Sequence, residues 1–290
     1  MINKALGAAL TIAFLGVTAV SAQTIFGAAF NGPNGPSTLY AISPANGKAT
    51  LAGPIGSFVV SGMAFAPNGV TLYGVGSSGG SNFALLRINP VNGASTAIGL
   101  TGLNAPCQDI AFRSDGILFC YSGGSIYTLS TSTGAATFVG NTGNFPLGNA
   151  LAFSSGNILY NANESELDSI NQSTGAPTLV VHLTYDPAFG FGPRPGGMKF
   201  HPNGTLYAAV IAGSGGATAS LGIINISTGV VTRVGPTTSG MDALAISAQT
   251  ITTTPSPIPV PSSWLLVATG LALVVLYKAR KGSRSAVSAA

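Results

Sequence analysis

Few side chains in this sequence of 290 residues can take part in acid–base or nucleophilic chemistry, because it contains only seven Asp and Glu residues and two His residues. Hydrolysis of a glycosidic bond needs two carboxyl groups that flank the bond. Asp109, Asp186 and Asp242 are the candidates, since Asp115 lies in a predicted turn and the other three acids lie in one segment. The sequence has neither a Gly-x-Ser-x-Gly elbow nor a phosphate-binding loop. We therefore expect no catalytic residues and no enzymatic activity.

Residues that bind metals are equally sparse. Glu164, Glu166 and Asp168 suit either an exposed acidic loop or a weak Ca²⁺ site completed by carbonyl groups, but they lack the spacing of an EF-hand loop. His182 and His201 lie next to predicted turns, and no recurring His or carboxylate supplies a third ligand. We predict an exposed acidic loop, surface histidines, no metal site and no cofactor.

These residues belong to a chain that repeats one pattern five times. Each copy has an apolar strand that often ends in Tyr-x-Ile, a turn that ends in Gly, and a short strand of Ala, Thr and Val. The turn glycines are 41 to 54 residues apart. The copies cover residues 39–47, 85–93, 126–134, 167–175 and 222–229. Repeated strands with a period of about 40 to 50 residues are typical of β-propeller blades.

Two further strands precede most copies of the repeat. An opening strand of small and apolar residues ends in Phe in four copies, and a turn rich in Asn, Asp and Gly leads into a second strand. The first copy lacks an opening strand, whereas the strand 241–246 has no copy after it. If this strand joins the first sheet, no blade keeps an open inner edge. The sequence thus predicts an all-β fold, a five-bladed propeller of four-stranded antiparallel blades, closed by the C-terminal strand pairing with the first blade.

One insertion interrupts the repeat. The segment 185–197, rich in Gly and Pro, accounts for the longest interval between turn glycines. Such an insertion lies on one face of the ring, where propellers bind partners. Tyr185, Phe189, Phe191 and Arg194 are therefore the candidate ligand-binding residues. The tyrosines inside the strands are instead expected to pack between blades.

Both ends of the chain carry targeting features. Residues 1–22 combine a basic start, an apolar run and small residues before a cleavage point, which predicts a signal peptide and its helix. Residues 23–248 are the predicted propeller, and the Thr/Ser/Pro-rich stretch 249–261 predicts an extended stalk. Residues 264–277 form an apolar run, about 21 Å long as a helix. Because basic residues follow it, we expect a transmembrane helix whose tail stays in the cytoplasm.

The tail 262–290, with the residues just before it, resembles a known sorting signal. Its motif consists of Pro259, Val260, Pro261, Ser262, Ser263 and Trp264. The motif, the apolar run and the basic end together resemble the PEP-CTERM sorting signal of bacterial envelopes, with Val260 in place of the usual Glu. The resemblance implies an exosortase-like processing enzyme as a partner and delivery to the cell surface or extracellular matrix. An ordinary C-terminal membrane anchor is the alternative.

Export bears on the two cysteines. An even number in an exported protein favours a disulfide between Cys107 and Cys120. If 114–116 is a hairpin turn, however, Cys120 lies opposite Ala111, and Cys107 lies about 13 Å beyond it, past the bridging limit of about 7 Å. The geometry therefore favours two unbridged thiols, unless a bend at Pro106 brings them together.

The net charge of +4 does not indicate a nucleic-acid partner. Five of the eleven basic residues lie in the two targeting segments, which leaves six basic and seven acidic residues between them. We predict an exported, non-enzymatic binding or structural module, either anchored by its C-terminal helix or released after processing. Its expected partners are the processing enzyme, the membrane and an envelope polysaccharide or protein. The alternative is a glycan-active hydrolase or lyase that uses carboxylates in the propeller channel.

Overall fold

The computed structural model describes most of the chain between residues 24 and 247. The described ranges are 24–32, 35–80, 82–143, 148–213 and 218–247. The predicted signal peptide 1–22, stalk 249–261 and sorting tail 262–290 lie outside the described residues. Across the ranges described, no helix has both the length and the apolar character needed to cross a membrane.

The described strands form five sheets, the blades of a propeller, each with four antiparallel strands, which confirms the predicted all-β five-bladed propeller. Blade 1 contains β1 (Ile25–Phe30), β2 (Ser37–Ile42), β3 (Ala49–Pro54) and β21 (Met241–Ile246). Blade 2 contains β4 (Val59–Phe65), β5 (Leu72–Ser77), β6 (Phe83–Ile88) and β7 (Ser95–Leu100). Blade 3 contains β8 (Asp109–Phe112), β9 (Leu118–Ser122), β10 (Ser125–Leu129) and β11 (Ala136–Asn141).

The last two blades differ at their outer edges. Blade 4 contains β12 (Gly148–Phe153), β13 (Leu159–Asn163), β14 (Glu166–Ile170) and β15 (Pro177–His182). Blade 5 contains β17 (Arg194–Phe200), β18 (Leu206–Ala212), β19 (Thr218–Ile224) and β20 (Val230–Pro236). The two-residue strand β16 (Thr184–Tyr185) pairs in parallel with β20 and covers the outer edge of blade 5.

The C-terminal strand closes the ring as predicted. β21 pairs antiparallel with β1, so that Ala28 lies opposite Ala243 and Ile25 lies opposite Ile246. It completes the blade whose opening strand is missing at the start of the chain, and it covers an edge that would otherwise expose unpaired backbone groups. The inner strands β21, β4, β8, β12 and β17 each contact the next around the ring and surround a central channel.

The hydrophobic core lies between the blades. Among the described residues, each of five buried clusters occupies one interface between neighbouring blades. Both faces of the strands are therefore apolar, as in other sheets that are covered on two sides. At four interfaces, the Phe that ends an inner strand packs on an aromatic ring of the preceding blade, with centroids 5.3 to 5.7 Å apart. The pairs are Phe65–Phe26, Phe112–Tyr73, Phe153–Phe119 and Phe200–Tyr160.

The turn glycines of the repeat also allow neighbouring blades to approach each other closely. Their φ angles lie between +73° and +81°, a region that L-amino acids with a Cβ atom rarely adopt. A Cβ atom on Gly47 of blade 1 would also lie 2.6 Å from the carbonyl oxygen of Gly235 in blade 5. The same close approach recurs at the other blade interfaces. The five glycines are Gly47, Gly93, Gly134, Gly175 and Gly229.

The two cysteines are bridged, which corrects the prediction of unbridged thiols. Their Cα atoms are 5.6 Å apart. Cys120 pairs with Ile110 rather than Ala111, and the chain bends at Gln108, between Cys107 and β8, so that Cys107 does not extend the line of β8. The sequence estimate failed because it assumed a straight strand back to Cys107.

Candidate functional site

The segment 183–193, which connects blades 4 and 5, departs from the repeat, and we call it the crossover segment. It runs first along the outer edge of blade 5. The amide of Thr184 donates to the carbonyl of Gly229 at 2.9 Å, and the amide of Asp186 donates to the carbonyl of Val231 at 3.0 Å. From this edge the segment turns inward to β17. It therefore covers blade 5 from its rim to the axis of the ring.

Two of the four predicted ligand-binding residues are packed within the crossover segment. The rings of Tyr185 and Phe189 meet at 6.0 Å, and Phe189, at the end of a short 3₁₀ turn, is buried. The Tyr185 hydroxyl donates to the carbonyl of Asn163 at 3.3 Å. Burial raises the pKa of Tyr185, so the hydroxyl stays protonated. These two residues hold the segment in place.

Of the other two predicted residues, Phe191 lies near the end of the segment, and Arg194 follows the segment. Phe191 is 89% exposed, and its carbonyl accepts a hydrogen bond of 2.7 Å from the amide of Gly213. Arg194 begins β17 at the mouth of the channel, where its charge acts on Asp242. The structure therefore does not bring the four residues into one site. Of the four, Phe191 presents an exposed apolar surface.

A buried ion pair lies in the central channel. The Lys199 Nζ of blade 5 lies 2.8 and 3.0 Å from the carboxylate oxygens of Asp109 in blade 3 and donates to the carbonyl of Leu151 in blade 4. Asp109 also accepts hydrogen bonds from the amides of Ile110, Leu151 and Met198. Burial raises the pKa of Asp109 to about 6, although Lys199 opposes this effect. The pair joins three blades and satisfies both charges, the condition under which buried charges are tolerated.

The two residues of the ion pair occupy positions at which the other copies of the repeat have Gly or Ala. The counterparts of Asp109 in the other inner strands are Gly62, Ala150, Gly197 and Ala243. The counterparts of Lys199 are Ala64, Ala111, Ala152 and Ala245. The sequence patterns indicated Asp109 as a possible acid but did not indicate Lys199. The available signal was charge at a position that is otherwise Gly or Ala.

Asp242 lies at one mouth of the channel. It occupies a β-bulge of β21, and Gly196 occupies the matching bulge of β17. A Cβ atom on Gly196 would collide with the Asp242 carboxylate, so the two strands pass in close contact. Burial and, secondly, the charge of Asp109 raise the pKa of Asp242 to about 7, against the opposing effect of Arg194. Two of the three predicted carboxylates thus share the channel, whereas Asp186 is half-buried and caps the 3₁₀ turn.

The Asp242 carboxyl makes stability depend on pH. Because its native pKa lies above the usual 3.8, the folded state binds this proton more tightly, and stability falls as the pH rises from about 4 to about 7. We expect Asp242→Asn to raise the free energy of unfolding by about 1 to 3 kcal/mol at about pH 8, since one pKa unit corresponds to about 1.4 kcal/mol and the carboxyl keeps some solvent contact. At about pH 4 we expect no change. Urea unfolding at the two pH values measures both effects.

Asp115→Asn is the matched control for this prediction. The exposed Asp115 carboxylate pairs with Arg113 at 2.7 Å, and this hydrogen bond lowers its pKa. Removing the charge there is therefore not expected to stabilise the protein at about pH 8. A gain from Asp242→Asn of the same size at both pH values would contradict the assignment.

Two of the three acids in the acidic cluster belong to a strand, which corrects the prediction of an exposed loop for them, whereas Glu164 is exposed in the bend before that strand. Glu166 and Asp168 lie in β14, and Asp168 is buried because alternate residues of this strand face a neighbouring blade. Burial raises the pKa of Asp168, and a Glu166 oxygen lies 3.7 Å from Nδ1 of His182. Within the part of the chain that the structure describes, no three His, Cys, Asp or Glu side chains are grouped to hold a metal ion.

The opposite mouth of the channel opens into a cavity of about 730 Å³. Its wall includes the rings of Phe65, Phe112, Phe153 and Phe200, which end four of the inner strands. The turns that follow these strands form the rim. Because the same rings make the aromatic contacts between blades, packing accounts for their position.

A smaller cavity of about 250 Å³ lies on blade 5 beside the crossover segment. Ala188 and Phe189 of the segment form one wall, and polar side chains of β19, β20 and the loop after β20 form the others. The polar residues are Thr218, Ser220, Arg233, Thr237 and Ser239. The sequence patterns did not predict this site. The available signal was Arg233, the one Lys, Arg, Asp or Glu in the outer strands β3, β7, β11, β15 and β20.

Comparison with known proteins identifies the fold. No protein-family model and no curated protein matches the chain. A chain in the crystal structure of a nidogen/laminin complex is 14% identical, with a TM-score of 0.52 over 79% of this chain and 100% of that one. TolB from Acinetobacter baumannii is 15% identical, with a TM-score of 0.47 over 75% of this chain and 54% of that one. At such identities the first likeness shows the propeller fold alone, and the lower score of the second supports no argument.

Proposed function

We propose that this protein is an exported propeller that binds an extracellular polysaccharide or an envelope protein, without catalysing a reaction, through the face that carries the crossover segment. The observation that carries the proposal is the exposed phenyl ring of Phe191 on a segment fixed by backbone hydrogen bonds. Exposed side chains on fixed loops commonly bind partners. The ion pair of Asp109 and Lys199 supports the same view, since it occupies the channel with groups that already have partners.

The proposed route is export through the signal peptide 1–22, followed by delivery through the PEP-CTERM-like tail 262–290 with the stalk 249–261 as a spacer. The disulfide supports export, because disulfides persist in oxidising compartments. Cell fractionation with mass spectrometry of the mature C-terminus tests this route. Retention of 264–277 would indicate an anchored protein, and its loss would indicate release by an exosortase-like enzyme. An intact N-terminus in the cytoplasm would contradict export.

We expect Phe191→Ser to weaken binding to the partner by about tenfold or more, because truncation of an aromatic hot spot at an interface commonly costs about 2 kcal/mol or more. Pull-down of the full-length protein in detergent with fractionated envelope polysaccharides and secreted proteins measures the effect. The matched control is Leu51→Ser, which removes a side chain that is 65% exposed on the outer strand of blade 1. Equal losses in the two variants, or no loss in Phe191→Ser, would contradict the proposed face.

The alternative function, a glycan-active hydrolase or lyase, draws on one observation. The pKa of Asp242 of about 7 lies in the range of a general acid. We favour the binding role because Asp109, the second carboxylate in the channel, is held by Lys199 and three backbone amides. Release of reducing sugars by the purified protein, with loss of that activity in Asp242→Asn, would overturn the non-enzymatic proposal.

A further inference from the structure

Arg233 is the charged side chain that lines the cavity of about 250 Å³. Its Nε donates to the Ser220 hydroxyl at 2.9 Å, which fixes the plane of the guanidinium group. All seven Asp and Glu side chains of the chain lie within the described residues, and none forms an ion pair with Arg233 within 4.0 Å. The remaining N–H groups of this guanidinium are therefore available to bind a planar anion in the two-point geometry that suits a carboxylate.

Hydroxyl groups line the same cavity. Thr237 Oγ1 is buried and has no hydrogen-bond partner among the described residues, although the amide of Thr237 donates to the carbonyl of Ala219 at 3.0 Å. A buried hydroxyl without a partner is costly, so its presence in a cavity indicates a polar ligand atom or a water molecule. Ser239 adds a hydroxyl at the cavity wall.

The size of the cavity and its apolar wall restrict the class of ligand that fits. Drug-sized ligands occupy pockets of roughly 300 to 1,000 Å³, so this cavity fits a smaller group, such as one sugar ring. Phe189 forms an apolar wall. The carbonyl of the exposed Phe191 bonds to Gly213, near the start of the strand whose first residue, Thr218, lines the cavity. A ligand with a carboxylate, hydroxyl groups and an apolar ring face matches these surroundings.

We propose that this cavity binds a uronic acid residue of an acidic polysaccharide, with the carboxylate on Arg233 and a sugar hydroxyl on Thr237. The inference rests on the proposed function, since it names the ligand class for the same face of the ring. Between the targeting segments, the chain has six basic and seven acidic residues, so its net charge there is close to zero. Binding of an acidic polymer therefore depends on this local cation rather than on overall attraction.

Calorimetry with the full-length protein in detergent tests the assignment, with polygalacturonate, neutral dextran and poly-glutamate as probes. We expect binding to polygalacturonate alone. Arg233→Gln should weaken it by about tenfold or more, and Arg233→Lys should also weaken it, because Lys keeps the charge but loses the two-point fork. The control Arg87→Gln removes an exposed cation of blade 2 and should have no effect. Thr237→Val, which keeps the shape of the side chain, should weaken binding severalfold if Arg233→Gln fails to fold.

Other outcomes separate this inference from the proposed function. If Arg233→Gln and Thr237→Val fold and bind polygalacturonate as the wild type does, while Phe191→Ser loses binding, the cavity is not the site and the proposed function stands. If the wild type binds no polysaccharide and no envelope protein, both proposals fail. Binding of poly-glutamate that depends on Arg233 would overturn the assignment to a sugar and replace it with an acidic peptide.

Discussion

Lys199→Ala is expected to lower the free energy of unfolding by about 3 to 5 kcal/mol at about pH 8, because it leaves the buried Asp109 carboxylate without its partner. Urea unfolding followed by circular dichroism measures the loss. Without Lys199, the native pKa of Asp109 rises above its present value of about 6, so the carboxyl is neutral at about pH 5. The loss should therefore be smaller at about pH 5 than at about pH 8.

The double variant Asp109→Ala/Lys199→Ala is the matched control. It gives blades 3 and 5 the alanines that blade 4 already carries at Ala150 and Ala152. Because it removes both charges together, it should be more stable at about pH 8 than Lys199→Ala. If the losses from the two single variants add in the double variant, the side chains act independently and the account of the channel is wrong.

Gly47→Ala is expected to lower the free energy of unfolding by about 2 to 4 kcal/mol. The residue has a φ of +73°, which a Cβ atom makes unfavourable, and that atom would lie 2.6 Å from the carbonyl oxygen of Gly235. Relief requires movement of blade 1 against blade 5, the interface at which the ring closes. Thermal and urea unfolding of the purified variant measure the loss.

Gly116→Ala separates the two causes of the loss expected for Gly47→Ala, which are the positive φ angle and the contact of the Cβ atom with blade 5. Gly116 has a φ of +92°, but a Cβ atom on it would meet nothing within 4 Å. It reports the cost of the left-handed backbone alone, which we expect to be about 1 kcal/mol. Equal losses at Gly47 and Gly116 would show that the blades do not approach each other closely at Gly47.

The sequence was sufficient for the fold because its signals are local and repeated. Each copy carries strand residues, a hairpin turn and a turn glycine in the same order, and the missing first strand matched the surplus strand 241–246. The disulfide was missed because the chain bends at Gln108, a residue type that is not typical of turns, and this bend brings Cys107 closer to Cys120 than a straight strand would.

The candidate site was harder to predict, because it depends on contacts between residues far apart in the chain. Lys199 and Asp109 are 90 residues apart in the sequence, and no residue near either of them in the sequence indicates that they form a pair. Tyr185 and Phe189 are aromatic residues of an insertion, but their rings pack against each other, with Phe189 buried and Tyr185 half-buried. Arg233 belongs to a different strand from the insertion, and it reaches the cavity only because the insertion folds over blade 5.

Hydrogen exchange of the backbone amides in β1 and β21 is the most direct test of the closed ring on which the account depends. If β21 pairs with β1 as in the structure, amides of both strands whose hydrogen bonds join them should exchange as slowly as those of the central strand β18, with the free energy of global unfolding. Rapid exchange across 241–246, together with slow exchange in β18, would show that the ring is open at blade 1 and would contradict the account.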